Sequence, residues 1–218
     1  MDIIVEGKAS EFFKPDQINL NINFYTKRND YNLALNCGSN NVENFIKNVL
    51  EVLEFNKEDL KTRSFSVTEV TRYDSEKRQH LKDGFAYSQN ANLKFDYDTE
   101  KLSKFMELVS TIENPPIYRI NFELKNEESA KSLVIAKAYS KAEEKAKMIA
   151  LAAGKKLKNC IKVDFKPFDE RVISNTEFND TFKMEKCMSA SIAQTIQNTF
   201  NPEDIEVQEK LYCLWIAE

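Results

Sequence analysis

A single histidine, four glycines and four scattered cysteines in 218 residues remove most of the familiar routes to catalysis before any motif is sought. Serine and cysteine nucleophiles work beside a base, most often histidine, and zinc or iron sites collect several His or Cys ligands. The lone His80 sits in the charged stretch Asp74 to Gly84 and has no second histidine to work with. Four glycines (Gly7, Gly38, Gly84, Gly154) cannot assemble a phosphate-cradling loop, and neither the Walker A nor the dinucleotide-binding pattern occurs. Cys37, Cys160, Cys187 and Cys213 form no C-x-x-C pair, so they read as free thiols of a reducing compartment. No stretch approaches the roughly 20 apolar residues that span a bilayer, and no basic, apolar leader opens the chain. The expectation is a cytoplasmic protein without membrane insertion, and no cofactor is called for.

A net charge of −4 and a pI near 5.4 give no overall attraction to nucleic acid, which is not expected as a partner. An apolar fraction of 42% with 30% charged residues is that of a folded globular protein. Along the chain, periods of two and of 3.6 residues alternate. Gln17 to Tyr25 places Ile18, Leu20, Ile22 and Phe24 on one face and Asn19, Asn21 and Asn23 on the other, a half-buried strand. Ile3 to Gly7 is expected to pair with it across a turn at Lys14-Pro15-Asp16. A helix capped by Asn29 or Asp30 follows, with Gly38 inside its apolar face. Glycine there costs about 1 kcal/mol against alanine, so close approach of another backbone is the expected compensation.

Strands over 62–73 and 85–97 form a long hairpin with a charged tip. Asp98 caps a second helix, Tyr118 to Leu124 is a further strand, and Asn126 caps the longest helix, which ends at Gly154. Ile161 to Phe165 and Ile205 to Ile216 are the last strands. Between them, 167–203 has weak periodicity and reads as a long arm with one helix over 189–200. The order ββ-α-ββ-α-β-α-β-(arm)-β implies an α+β fold, with about three helices on one face of a mostly antiparallel mixed sheet. The even interleaving favours a single domain over 1–218.

The longest helix decides between a site and a scaffold. At 100° per residue, Ile135, Ala138, Ala142, Ala146, Ile149 and Ala153 fall on one face. Alanines in mid-stripe let a helix axis come unusually close to its neighbour. Lys137, Lys141 and Lys145 flank that stripe, and with Lys77 and Arg78 of the hairpin tip they are weak candidates for anion contact. Their stems also suit the border of an apolar face. Carboxylates such as Asp96, Asp98 and Asp169 serve as an acid and base pair only if they converge in a cleft.

Taken in order, Val5-Glu6-Gly7, Pro15-Asp16, the strand Ile18 to Phe24, Gly84-Phe85-Ala86-Tyr87, Ile120 to Leu124, the alanine helix Ala138 to Leu157 and the closing Asn201 to Val207 resemble the SIMPL-domain family. The helix with alanine at every fourth position and an Ala-x-Gly ending is the most specific of these. The resemblance implies an α+β domain and no catalytic motif. It also implies kinship with bacterial members, chiefly secreted or periplasmic and some linked to stress resistance. One envelope member forms a large ring or channel-like oligomer, and an animal member is a binding partner in kinase signalling. Here Lys158-Asn159 stands where a second glycine often follows the helix.

The preferred reading is a non-enzymatic, self-associating protein. Its last strand is apolar on both sides, Leu211, Cys213 and Trp215 on one and Tyr212, Leu214 and Ile216 on the other, so both sides need cover. The cover is either the chain's own helix and arm or a second copy, and Tyr212, Leu214 and Ile216 are the tentative interaction surface. An unidentified protein partner is a further option. The alternative is a small-ligand binder or carboxylate-based enzyme with its pocket under the arm.

Overall fold

The computed structural model describes residues 1–76, 78–168 and 200–218. It is α+β, with seven strands and three α-helices among those residues: β1 (Asp2–Phe13), β2 (Gln17–Arg28), α1 (Tyr31–Phe45), β3 (Lys61–Asp74), β4 (Gln79–Asp96), α2 (Thr99–Ser110), β5 (Ile117–Glu123), α3 (Glu127–Ala152), β6 (Leu157–Asp164) and β7 (Ile205–Ala217). The element order is the one expected. The arm expected over 167–203, with its helix, Asp169 and Cys187, lies outside the described residues except at its two ends.

In space the strands sort into two antiparallel sheets, β1-β7-β6 and β3-β4-β2-β5. They belong to two compact units. One holds Met1–Lys14, the segment from Asn126 and Glu203–Glu218; the other holds Pro15–Lys125 and a short piece ending at Pro202. The expected pairing of Ile3–Gly7 with β2 is not made. β1 pairs along its whole length with β7, Ile3 opposite Trp215 and Val5 opposite Cys213, and β2 pairs with β4 and β5 instead. Nearness in sequence favours a hairpin, but the apolar side of β7 offers β1 a longer matching register. Asp16 also acts at longer range than a local turn: its carboxylate accepts from the Lys125 amide at 2.6 Å, and its carbonyl from the Tyr97 amide at 2.9 Å.

In the β3-β4-β2-β5 unit, β2 buries Ile18, Leu20, Ile22 and Phe24 against α1 and α2. Asp30 caps α1, accepting from the amides of Asn32 and Leu33, and Asp98 caps α2 in the same way. Phe45 of α1 and Phe105 of α2 meet edge to face at 6.2 Å, and Phe105 meets Tyr118 at 5.3 Å, so aromatic rings join both helices to the sheet. At Gly38 the close neighbour is not a backbone, as expected, but the ring of Tyr87. A Cβ on Gly38 would lie 2.2 Å from the ring's Cγ. The β3 and β4 strands run on past the end of β2, whose last pair is Arg28 with Phe85. His80 therefore sits in a strand opposite Tyr73, not in a loop.

In the β1-β7-β6 unit, Asn126 caps α3, and Gly154, with φ of +67°, ends it in the left-handed conformation. The buried residues of α3 are Ala130, Val134, Ala138, Ala142, Ala146 and Ala150. Three of these match the expected stripe, while Ile149 is exposed and Ile135 only half-buried. A strict four-residue repeat drifts about 40° around the helix at each step. The buried line thus winds across α3, as it must where a straight helix crosses twisted strands obliquely. The approach is closest at Gly7 of β1, where an added Cβ would lie 2.0 Å from the Ala138 carbonyl oxygen and 2.8 Å from the Ala142 Cβ.

Candidate functional site

Each sheet has one side closed by helix and one side open, and the two open sides differ in chemistry. In β1-β7-β6, α3 covers Val207, Leu211, Cys213, Trp215 and Ala217, all buried. The alternate residues Tyr212, Leu214 and Ile216 face the other way and are half-buried. The register sets Ile4 opposite Leu214 and Glu6 opposite Tyr212, and Ile4 is 57% exposed. No described element of this unit lies over that side. Its charges alternate in sign: Lys210 is 3.5 Å from Glu6, and Lys162 and Asp164 of β6 lie opposite Leu214 and Tyr212.

In β3-β4-β2-β5 the open side is polar and built on asparagine. Asn19, Asn21 and Asn23 of β2 project from it, flanked by Lys94, Asn92 and Asn90 of β4 and by Asn121, Arg119 and Ile117 of β5. Arg63 lies at the irregularity between Thr62 and Ser64 of β3. A cavity of about 510 Å³ opens among these residues. Two hydrogen-bonded chains order the amides. Asn92 donates to Asn19, Asn19 donates to Glu123, and Glu123 also takes the Lys94 ammonium at 2.7 Å. Asn23 donates to Asn90 at 2.6 Å, and Asn90 to Ser64 at 2.9 Å. Burial pushes the Glu123 carboxyl up, but the Asn19 amide and the Lys94 ammonium, with the Arg63 charge behind them, hold it below the ordinary glutamate value.

Asp96 pairs with Lys125 at 2.7 Å and Asp98 is the α2 cap, so both have structural work, and neither lines the cavity above. Lys137 pairs with Glu11 at 2.6 Å and Lys145 donates to the Glu6 carbonyl at 2.8 Å, while Lys141 between them is exposed. The lysine row thus borders the buried stripe and reaches down to β1. Arg78 is exposed at the hairpin tip, and Lys77 lies outside the described residues. Nearby, Lys27 pairs with Asp83 and Lys82 with Glu69, so much of the tip's charge is internally matched. Among the described residues no group of three or more His, Cys, Asp or Glu is placed to hold a metal ion. The asparagine surface was visible as the polar alternation of β2. Its signal was three asparagines in a strand interior, where that residue is disfavoured.

The described cysteines are free. Cys213 lies buried under α3, and burial, with Cys160 beside it, pushes its thiol up from 9.0 to about 11. At pH 8 this leaves roughly a hundredfold less thiolate than an ordinary cysteine carries. Alkylation of the native protein followed by peptide mass spectrometry is therefore expected to label Cys213 last, and to label it readily once the chain is denatured. Early native labelling would place Cys213 outside the core.

An α+β chain of two antiparallel sheets, with a helix carrying alanine at every fourth position laid on a glycine of its first strand, defines the structural class. The chain belongs to the SIMPL family, a protein family of unknown function (DUF541), whose model matches residues 3–211. No curated protein matches the chain. Among the described residues no helix is long and apolar enough to cross a membrane.

Proposed function

We propose that this SIMPL protein is a non-catalytic structural protein that associates with further copies of itself through the open side of the β1-β7-β6 sheet. The observation that carries the reading is the two-sided apolar character of β7, with α3 closing only the Leu211, Cys213 and Trp215 side. A second copy suits the other side because a two-fold interface must be self-complementary. Ile4, Leu214 and Ile216 form an apolar centre, and Glu6, Lys210, Lys162 and Asp164 around it alternate in sign, so the face can meet itself without net repulsion. The stress-resistance role implied by the family resemblance is compatible with such an assembly and rests on that resemblance alone. An enzyme built on Asp96 and Asp98 gains no support from their ion-pair and capping duties.

Sedimentation velocity at micromolar concentration tests the proposal. The wild-type chain is expected to run well above its 25.3 kDa monomer mass. Leu214→Lys, which places a charge at the centre of the face, is expected to weaken association by at least about tenfold while leaving the circular dichroism spectrum unchanged. A wild-type monomer, or an assembly indifferent to Leu214→Lys and Ile4→Lys, would overturn it.

A further inference from the structure

We infer that the open side of the β3-β4-β2-β5 sheet is a binding site for a small polyhydroxylated carboxylate, a sugar acid. The cavity of about 510 Å³ is of the size that takes a monosaccharide or disaccharide. Its residues break the local rule for strands: asparagine is disfavoured in strand interiors, yet β2 and β4 set five of them side by side across the sheet. Such breaks are where function is expected to outweigh folding economy.

The hydrogen-bond inventory identifies what is missing. Asn92 is only 5% exposed and spends its amide nitrogen on Asn19, which leaves its Oδ1 a buried acceptor with no donor among the described residues. That oxygen is itself closed to solvent, so Asn92 helps order the floor of the site, and the amides that face a ligand are its neighbours. Asn21 and Asn121, which also line the cavity, make no side-chain hydrogen bond to a described residue and offer both donor and acceptor atoms. Arg63 and Arg119 line the same cavity, and neither forms an ion pair with a described residue. Arg63 acts on Glu123 only through its charge, without an ion-pair contact, and two guanidinium groups beside neutral amides favour a planar carboxylate, which they bind through two parallel hydrogen bonds. Ile117, 72% exposed at the rim, provides an apolar ledge for the C–H side of a pyranose ring.

A simple anion would satisfy the arginines and leave the Asn21 and Asn121 amides unused, while a neutral sugar would do the reverse. A molecule carrying several hydroxyls and one carboxylate meets both needs. The catalytic acids and nucleophiles that would transform such a ligand are not among the lining residues, so the site binds and does not react.

Side-chain amide spectra of the ¹⁵N-labelled full chain test this, with D-glucuronate, D-galacturonate and D-gluconate as probes and D-glucose, acetate and inorganic phosphate as controls. At least one sugar acid is expected to shift the amide signals of Asn21, Asn92 and Asn121. Glucose, acetate and phosphate should each bind at least about tenfold more weakly. Arg119→Ala should reduce sugar-acid affinity by at least about tenfold, and Arg63→Ala gives a second reading from another strand. Leu214→Lys, on the other sheet, should leave these shifts unchanged, so failure of self-association would not be mistaken for failure of this site. Absence of shifts with all three sugar acids would overturn the inference. An equal response to phosphate would overturn it in favour of a general anion site, and affinity indifferent to both arginine variants would place binding elsewhere.

Discussion

Gly7→Ala is expected to destabilise the β1-β7-β6 unit by about 3 kcal/mol, at the upper end of what overpacking usually costs. The added methyl would sit 2.0 Å from the carbonyl oxygen of Ala138, and that oxygen belongs to the α3 backbone and cannot rotate away. The only relief is to lift the helix off the strand, which would open the packing of every buried alanine from Ala130 to Ala150. Ala142→Leu attacks the same contact from the helix side, since Ala142 is fully buried and its Cβ already faces Gly7. It is expected to cost about 1 to 3 kcal/mol. The two changes share one gap, so their costs should not add. Gly154→Ala is the control: an added Cβ would meet nothing within 4 Å, and the left-handed φ of +67° carries only a backbone cost of about 1 to 2 kcal/mol. Urea unfolding of the three variants gives the ranking. Unchanged stability in both Gly7→Ala and Ala142→Leu would mean that α3 does not rest on β1 through this face.

Gly38→Ala is the second large effect, and it sets two opposed terms against each other. Helix propensity alone would favour alanine by about 1 kcal/mol. Against that, the new Cβ would lie 2.2 to 2.5 Å from three atoms of the Tyr87 ring. The ring has little room to yield: it is 1% exposed, packs edge to face on Phe65 at 5.3 Å, and donates its hydroxyl proton to Gln89. The contact should win, giving a net loss of up to about 2 kcal/mol. Pairing Gly38→Ala with Tyr87→Leu separates the terms, because a smaller side chain in place of the ring should turn the alanine change from harmful toward neutral. An equal penalty for Gly38→Ala in both backgrounds would place its cause outside the ring contact.

These two glycines also show how far the sequence could be read. That α3 is built for close approach followed from the alanine spacing, because a 3.6-residue period and small side chains are local properties. Which residues of the stripe are inside did not follow fully. Ile135 and Ile149 satisfy a straight-helix count, but an oblique crossing buries Ala130 and Val134 at one end and Ala150 at the other. The crossing angle is set by sheet twist, which no single helix encodes. The partner at Gly7 was beyond reach for the same reason, since the glycine and its alanines are more than a hundred residues apart in the chain.

Strand pairing was the other limit. The bounds of β7 were clear from its alternation, and so was the need to cover both of its sides. Its partnership with β1 joins the two ends of the chain, whereas proximity and Pro15-Asp16 pointed to a hairpin with β2. The asparagines of β2 were legible as a polar side. Their meaning depends on Asn92, Arg63 and Arg119, brought beside them from β4, β3 and β5 by the sheet register.

Whether copies of the chain meet through the open side of the β1-β7-β6 sheet can be read from isotope-filtered NMR on a mixture of methyl-labelled and unlabelled protein. Contacts across the interface are then the only source of transfer from unlabelled protons to labelled methyls. Intermolecular transfer is expected to the methyls of Ile4, Leu214 and Ile216, and none to Val134, which is buried on the inner face of α3. Transfer confined to other methyls, or none at a concentration where the protein sediments as an oligomer, would contradict association through that side.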